Sequence, residues 1–471
     1  MKAIHNSKFL IFNSKLIIQN SKLFTAFKPF RWLKVIRNSS FVIFFRLPFL
    51  LFPFALFLFT SCPEPTPPDY GLSLEAVDIV CTEATFKVSA SIDSTSTWDC
   101  GLYRDDSLVI SQSISGGSGY LRDTGLEPNA SYNYHIGYLK EGKAKDRSQV
   151  VHITTLDTTS HEFTWTVETL GDYGSYLNDV AIVDENNIWV VGYITLGDSI
   201  YNAAHWDGTE WEMIEIYDGH IPLYGIWYFN ENDIWVTNGC SVFHLENNEW
   251  IYYRFSSGGV GVDCCAGKTI WASSPEDVWF AGDNGSIVHY DGSGFSRIES
   301  GTEVNYRQIS GTLDGKYVFV AGYNYVLPTK TSALMIHNGV VTNLFYGYEI
   351  QPDDPNEFGY ISAVDVYGSV AYFISFRGLW NYFYKDDYSI IDKRLSQYNF
   401  KRLIIQNPSD MVVIAGGFRY RVFNGMEWIF KDELYETTDY FTEQGDYKGD
   451  ILVIVGIEKR TMRGLVARGR R

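Results

Sequence analysis

The chain reads as all-β, a small sandwich followed by a seven-bladed β-propeller. Three observations predict this. One unit recurs seven times from about residue 175 to the C-terminus, with a period of roughly 40–50 residues. Each unit is built from short apolar runs, clearest in Asn187-Ile188-Trp189-Val190-Val191-Gly192, Asp233-Ile234-Trp235-Val236-Thr237-Asn238-Gly239 and Asp277-Val278-Trp279-Phe280-Ala281-Gly282. Turns such as Trp206-Asp207-Gly208, Tyr290-Asp291-Gly292 and Phe423-Asn424-Gly425 follow, each leading to an aromatic at Trp211, Phe295 or Trp428. Repeated short strands at this period close into blades around an axis.

Residues 1–61 read as an N-terminal extension and export signal. Residues 1–62 hold nine Lys or Arg and no acid, against −18 for the whole chain, so residues 63–471 carry −27. An apolar run from Leu47 to Ser61 follows Lys34, Arg37 and Arg46; it is too short to span a bilayer stably and ends at Cys62. Leu58-Phe59-Thr60-Ser61-Cys62 resembles the lipobox of bacterial lipoproteins, with Phe59 where Leu is usual. The resemblance implies acylation of Cys62 and a membrane partner through that lipid. Residues 62–70 are a stiff Pro-rich tether, Pro63-Glu64-Pro65-Thr66-Pro67-Pro68. The crude repeat Asn13-Ser14-Lys15 and Asn20-Ser21-Lys22 suggests a translation start nearer Leu33 or Val35. Nucleic acid is excluded as a partner, because a body at −27 repels phosphate.

Residues 71–157 alternate at the strand period with turn signals about every ten residues, which predicts a sandwich. Gly125-Leu126-Glu127-Pro128-Asn129-Ala130-Ser131-Tyr132 resembles the tyrosine corner of fibronectin type III domains, an immunoglobulin-like relative being the alternative. The resemblance makes Tyr132 a structural residue and the domain a spacer. No strand-B Trp is evident.

The propeller spans 161–471. Its repeated Gly falls at Gly192, Gly239, Gly282, Gly322, Gly416 and Gly456, with Ser375 in the fifth unit. The seventh unit ends one strand short, and Trp165 to Leu170 matches the missing strand, so the two chain ends are expected to share a blade. Asp-Gly and Asn-Gly between the third and fourth strands favour type I′ turns. The units do not resemble WD40, kelch or sialidase repeats. They resemble propeller repeats of exported bacterial proteins, tethered Bacteroidota lipoproteins above all. That resemblance implies an outer-membrane or cell-surface location and no particular ligand.

Links between first and second strands are short, whereas those on the opposite face are long: Tyr193 to Tyr201, Tyr217 to Tyr224, Ser256 to Lys268, Tyr323 to Thr331, Phe345 to Tyr360 and Glu458 to Arg463. Long loops in a compact fold carry function. The expected ligand face holds Tyr173, Tyr176, Tyr224, Tyr323, Tyr325 and Tyr360, with Arg307 and Arg377 as polar anchors. Tyr rings over a groove suit a glycan, a peptide or a protein. The alternative is a glycan-acting enzyme, which needs two carboxylates facing across the funnel. No catalytic motif, cofactor motif or metal-ligand spacing is evident. His205, His244 and His289 fall one per unit, too far apart to share a metal, and read as repeat features. Asp353-Asp354 and Asp386-Asp387 read as solvated acids. Beyond Cys62 five cysteines remain; Cys81–Cys100 is a plausible pair, and Cys264 or Cys265 offers a partner to Cys240.

Overall fold

The computed structural model describes residues 69–218, 220–256, 258–324, 330–348, 359–395, 400–434 and 440–471. Two antiparallel sheets come first. One pairs Ser73–Ile79, Glu83–Ser89 and Ser118–Thr124; the other joins Ser107–Ser115, Thr97–Arg104, Ser131–Lys140, Lys143–Arg147 and Val151–Thr154. Phe86, Trp98, Leu102, Tyr134 and Ile136 fill the space between them. Trp98, which the sequence pattern does not single out, is a core residue at 2% exposure. The Tyr132 hydroxyl accepts the Glu127 N–H at 2.9 Å.

Seven four-stranded sheets follow. Their innermost strands are Tyr176–Asp184, Gly225–Asn230, Thr269–Ser274, Tyr306–Gly311, Ile361–Tyr367, Phe400–Asn407 and Tyr440–Lys448, in blades 1 to 7. Each innermost strand touches the next around the ring, and the seventh touches the first. Thr164–Leu170 closes the ring: it pairs antiparallel with Arg463–Arg470, Val167 opposite Ala467, and supplies the fourth strand of blade 7. Seven apolar clusters, each shared by two neighbouring blades, hold the ring together. Most of the aromatic content goes there, as with Trp235 of blade 2 against Phe280 and Tyr290 of blade 3.

The repeated Gly has a steric cause. A Cβ on Gly192, Gly282, Gly322 or Gly456 would run into a backbone carbonyl of the innermost strand or the link leading to it: Tyr176, Cys265, Asn305 or Phe441 O respectively. The innermost strand bulges opposite three of these glycines, leaving Asn178, Arg307 and Glu443 as the extra residues. Ser362 and Lys401 hold the same place in blades 5 and 6. A bulge bends the strand and re-aims the side chain it carries.

The repeat histidines are structural. His205, His244 and His289 sit cross-strand from Trp189, Trp235 and Trp279, ring centroids 4.5, 3.8 and 4.0 Å apart. Their Nε2 atoms lie 3.0, 2.8 and 2.7 Å from Oδ1 of Asn187, Asp233 and Asp277.

Several expectations are corrected. Asp207, Asp291 and Asn424 do not enter the left-handed region; their side chains instead accept backbone N–H groups two and three residues on, so these are Asx-type turns. Among the described residues, Asn338-Gly339 follows the type I′ expectation, alongside Asn247-Asn248. Cys81 and Cys100 are not bonded: Cys100 is inside the sandwich core, while the Cys81 thiol lies 2.9 Å from Asp157 O. Cys240 pairs with Cys265, leaving Cys264 as a thiol.

The sandwich is more than a spacer. Val77 and Tyr120 pack onto the cluster shared by blades 5 and 6, and Tyr120 stacks on Tyr388 at 4.1 Å. Lys87 pairs with Asp386, which is therefore not simply solvated, and the Tyr372 hydroxyl lies 3.5 Å from Asp78. Asp353-Asp354 fall outside the described residues. All these contacts are on the tight-turn side of the ring.

Candidate functional site

The innermost strands begin at the long-loop face, so their first residues ring the mouth of the central channel. A cavity of about 250 Å³ opens there, lined by Asn178, Tyr224, Lys268, Asp283, Tyr306, Arg307 and Gln444 from blades 1, 2, 3, 4 and 7. Asn178 and Arg307 reach it from the bulges. Lys268 Nζ rests 3.4 Å above the Tyr224 ring, and the Arg307 guanidinium 5.7 Å from the Tyr323 ring centre. Asn178 Nδ2 donates to Leu223 O at 2.6 Å, which turns its Oδ1 away from that bond. Gln444 Oε1 has no hydrogen-bond partner among the described residues. The Tyr306 hydroxyl bonds Thr302 Oγ1 at 2.8 Å, and burial raises its pKa.

The wall behind Lys268 is stapled. Cys240–Cys265 ties the second-to-third strand link of blade 2 to the loop entering blade 3, and Gly267 N–H donates to Gly239 O beside it.

One residue deeper than Arg307, Gln308 Nε2 donates to Leu403 O at 2.8 Å and Gln308 Oε1 accepts Leu403 N–H at 3.2 Å. This bond runs from blade 4 past blade 5 to blade 6. Three carboxylates, Asp179 level with Gln308 and Asp365 and Asp446 deeper, are each joined to the next blade's backbone: Asp446 accepts Ile182 N–H, Asp179 accepts Ile226 N–H and Asp365 accepts Ile405 N–H. Burial raises the pKa of all three, Asp179 to about 6, against the opposing charge of Arg402. These acids tie each blade to the next.

The predicted residues divide. Tyr224 and Arg307 line the cavity, and Tyr176 stands beside it, 5.7 Å from Tyr193. Tyr173 is 76% exposed on the rim. Tyr360 and Phe376 extend the aromatic row from Tyr323 at 4.9 and 5.4 Å, and Arg377 sits half-buried in the turn after Ser375. Tyr323 is a correction: its strand runs on past Gly322, so Tyr323 is a buried strand residue and not a loop tip. Likewise the expected loop from Tyr193 to Tyr201 is mostly hairpin, with strands to Leu196 and from Ser199. Tyr325 and Cys62 lie outside the described residues. Sequence reasoning missed Asn178, Lys268, Asp283, Tyr306 and Gln444. The signal was present: Asn178, Lys268 and Arg307 stand 14, 14 and 15 places before Gly192, Gly282 and Gly322.

A larger cavity, about 690 Å³, lies on the tight-turn side between Leu313, Tyr317, Tyr367 and Tyr384. Tyr367 and Gly368 also line the cleft against Ala76 and Val77, so this space is continuous with the sandwich joint.

The fold is that of a β-propeller. No protein-family model and no curated protein matches the chain. Among solved structures, a catalytically inactive virginiamycin B lyase from Staphylococcus aureus, determined with quinupristin, is 9% identical; the match covers 66% of this chain and all of that one, with a TM-score of 0.50. YCF48 bound to D1 peptide is 12% identical over 67% of this chain and 97% of that one, TM-score 0.48. A Bacteroides thetaiotaomicron protein of unknown function is 11% identical over 85% and 98%, TM-score 0.37. At such identities the likeness bears on the fold alone.

Proposed function

We propose that this is a lipid-anchored binding or scaffold protein of the bacterial envelope, held through Cys62 at the outer membrane or cell surface. In this reading a fibronectin III-like sandwich braces the propeller, and the propeller takes a ligand at its long-loop mouth. One observation carries the second half: two cations, two Tyr rings and two amides converge, with Asp283, on a cavity at the long-loop face. Convergent polar groups in a concave aromatic site are the general signature of a binding pocket. The sheet pairing and the Tyr132 bond support the fibronectin-like reading, and Leu47 to Cys62 supports the anchor.

A glycan-acting enzyme needs two opposed carboxylates. Among the described residues lining the mouth, Asp283 is the one acid. Binding is therefore the favoured reading. The test is a screen of immobilised glycans and peptides with the full-length protein, repeated with Lys268→Gln at the mouth and Glu231→Gln at a tight turn. A hit weakened by the first and spared by the second supports the mouth; the reverse removes it.

A further inference from the structure

With the mouth as the binding site, a reading on which this rests, we infer that its ligand is a small zwitterion with a primary ammonium, a free α-amino acid. Charge comes first. Lys268 and Asp283 line one cavity and are both half-buried, yet among the described residues neither takes part in an ion pair. The backbone sets them side by side. Lys268 lies just before the first strand of blade 3 and Asp283 just after the second, and these strands pair. Lys268 N–H donates to Ala281 O and Asp283 N–H to Cys265 O. The Tyr224 ring seats the Lys268 ammonium, 3.4 Å from its centre, and holds it off the carboxylate without neutralising it. Charges drawn partly out of water without a counter-ion are costly. Two unpaired opposite charges in one cavity suit a ligand that carries both.

The uncharged groups say which end goes where. Gln444 Oε1 is buried without a hydrogen-bond partner among the described residues. Asn178 commits its Nδ2 to Leu223 O, which leaves Oδ1 to accept. With Asp283 these make three acceptors around one space, and a primary ammonium brings three N–H donors. Lys268 is the donor for the carboxylate, in a charge-assisted hydrogen bond. Arg307 is not needed for this assignment; it keeps contacts of its own, the Tyr323 ring among them.

Size limits the ligand to one residue. The cavity of about 250 Å³ is below the roughly 300–1,000 Å³ of pockets that enclose a whole drug-sized ligand. In an α-amino acid both charged groups sit on one carbon, so they can meet two side chains of a single hairpin. Each added peptide unit moves the two charges apart by up to about 3.3–3.6 Å. Among the described residues no second acid lines the mouth, so a ligand with a further positive charge finds no partner there.

The test titrates the full-length protein in detergent with each of the common free α-amino acids, by calorimetry and by melting temperature. At least one should bind with a Kd of roughly 1 mM or tighter and raise the melting temperature. Its N-acetyl form and its carboxamide should each bind about tenfold or more weakly, as expected for loss of a charge-assisted contact. The substitutions should act end by end. Lys268→Gln should erase the preference for the free acid over the carboxamide and keep that over the N-acetyl form; Asp283→Asn should do the reverse. A merely structural role would weaken all forms alike. Lys268→Gln decides the matter should the Asp283 variant misfold, and the comparison of ligand forms on wild type needs no variant. Should no amino acid bind, the inference is overturned, while a glycan or peptide hit lost in Lys268→Gln would keep the mouth. Equal binding of the free, N-acetyl and carboxamide forms overturns the zwitterion. Binding kept in both mouth variants but lost in Glu231→Gln overturns the mouth itself.

Discussion

Replacing Gly322 by Ala tests why the repeat carries a glycine. The new Cβ would meet Asn305 O and Tyr306 Cα, both backbone, so no side chain can swing aside to relieve it. Overpacking of this kind costs about 1–3 kcal/mol. Removing a glycine also stiffens the unfolded chain and returns about 0.4–1 kcal/mol. The net loss is then about 1–2 kcal/mol. The control is Gly416, which stands one residue past Ala415, the blade 6 residue registered like Gly322, and has nothing within 4 Å of where a methyl would sit. Gly416→Ala keeps only the unfolded-state gain and should be neutral or stabilising by up to about 1 kcal/mol. Urea titrations followed by Trp fluorescence would compare midpoints at unchanged slope. In melting temperature the shift is small, below the roughly 2–4 °C per kcal/mol of a domain of about 200 residues. If Gly416→Ala is as damaging as Gly322→Ala, or Gly322→Ala is silent, the carbonyl-crossing explanation fails.

Breaking Cys240–Cys265 with a Ser pair should cost up to about 3.5 kcal/mol from loop-closure entropy over its separation of 25 residues, read as a drop in urea midpoint; a smaller loss would mean that the Gly239–Gly267 contact already holds the wall. Stability should fall as pH rises from 5 to 7.5. Burial lifts the folded pKa of Asp179 and Asp78 to about 6 from an ordinary 3.8, so the folded state holds the extra proton below pH 6 and loses that advantage above it. Asp179→Asn should flatten the melting profile across this window by about 1.4 kcal/mol, and an unchanged slope would refute the assignment. Cys62→Ala should abolish labelling by a palmitate analogue and leave the precursor uncut; a wild type that takes no label contradicts the anchor.

The periodic parts of this fold are legible because strand alternation and turn chemistry are local. Trp165 to Leu170 can be paired with the last unit from its likeness to Trp211 to Ile216, and the two chain ends do meet there. The reason for the repeated Gly is not legible, since it depends on the carbonyl of a strand some 15 residues earlier. Tyr323 is misplaced by the repeat pattern, which ends the hairpin at its Gly, whereas the strand continues through Tyr323. The mouth is half visible. Aromatics on long loops stand out, but Asn178, Lys268 and Gln444 fall where each repeat differs in chemistry, and a search for sameness passes over them. The sandwich joint is out of reach, because Lys87–Asp386 and Asp78–Tyr372 link positions about 300 residues apart.

The central claim is that ligand reaches this protein through the long-loop mouth. Site-specific photocrosslinking in intact cells tests it whatever the ligand is. A benzophenone side chain placed at Tyr173 or Tyr224 on the mouth should yield discrete adducts on irradiation, reduced by Lys268→Gln, while the same group at Asn186 or Glu231 on the tight turns should yield none. Adducts confined to Asn186 or Glu231, with none at Tyr173 or Tyr224, would contradict the account.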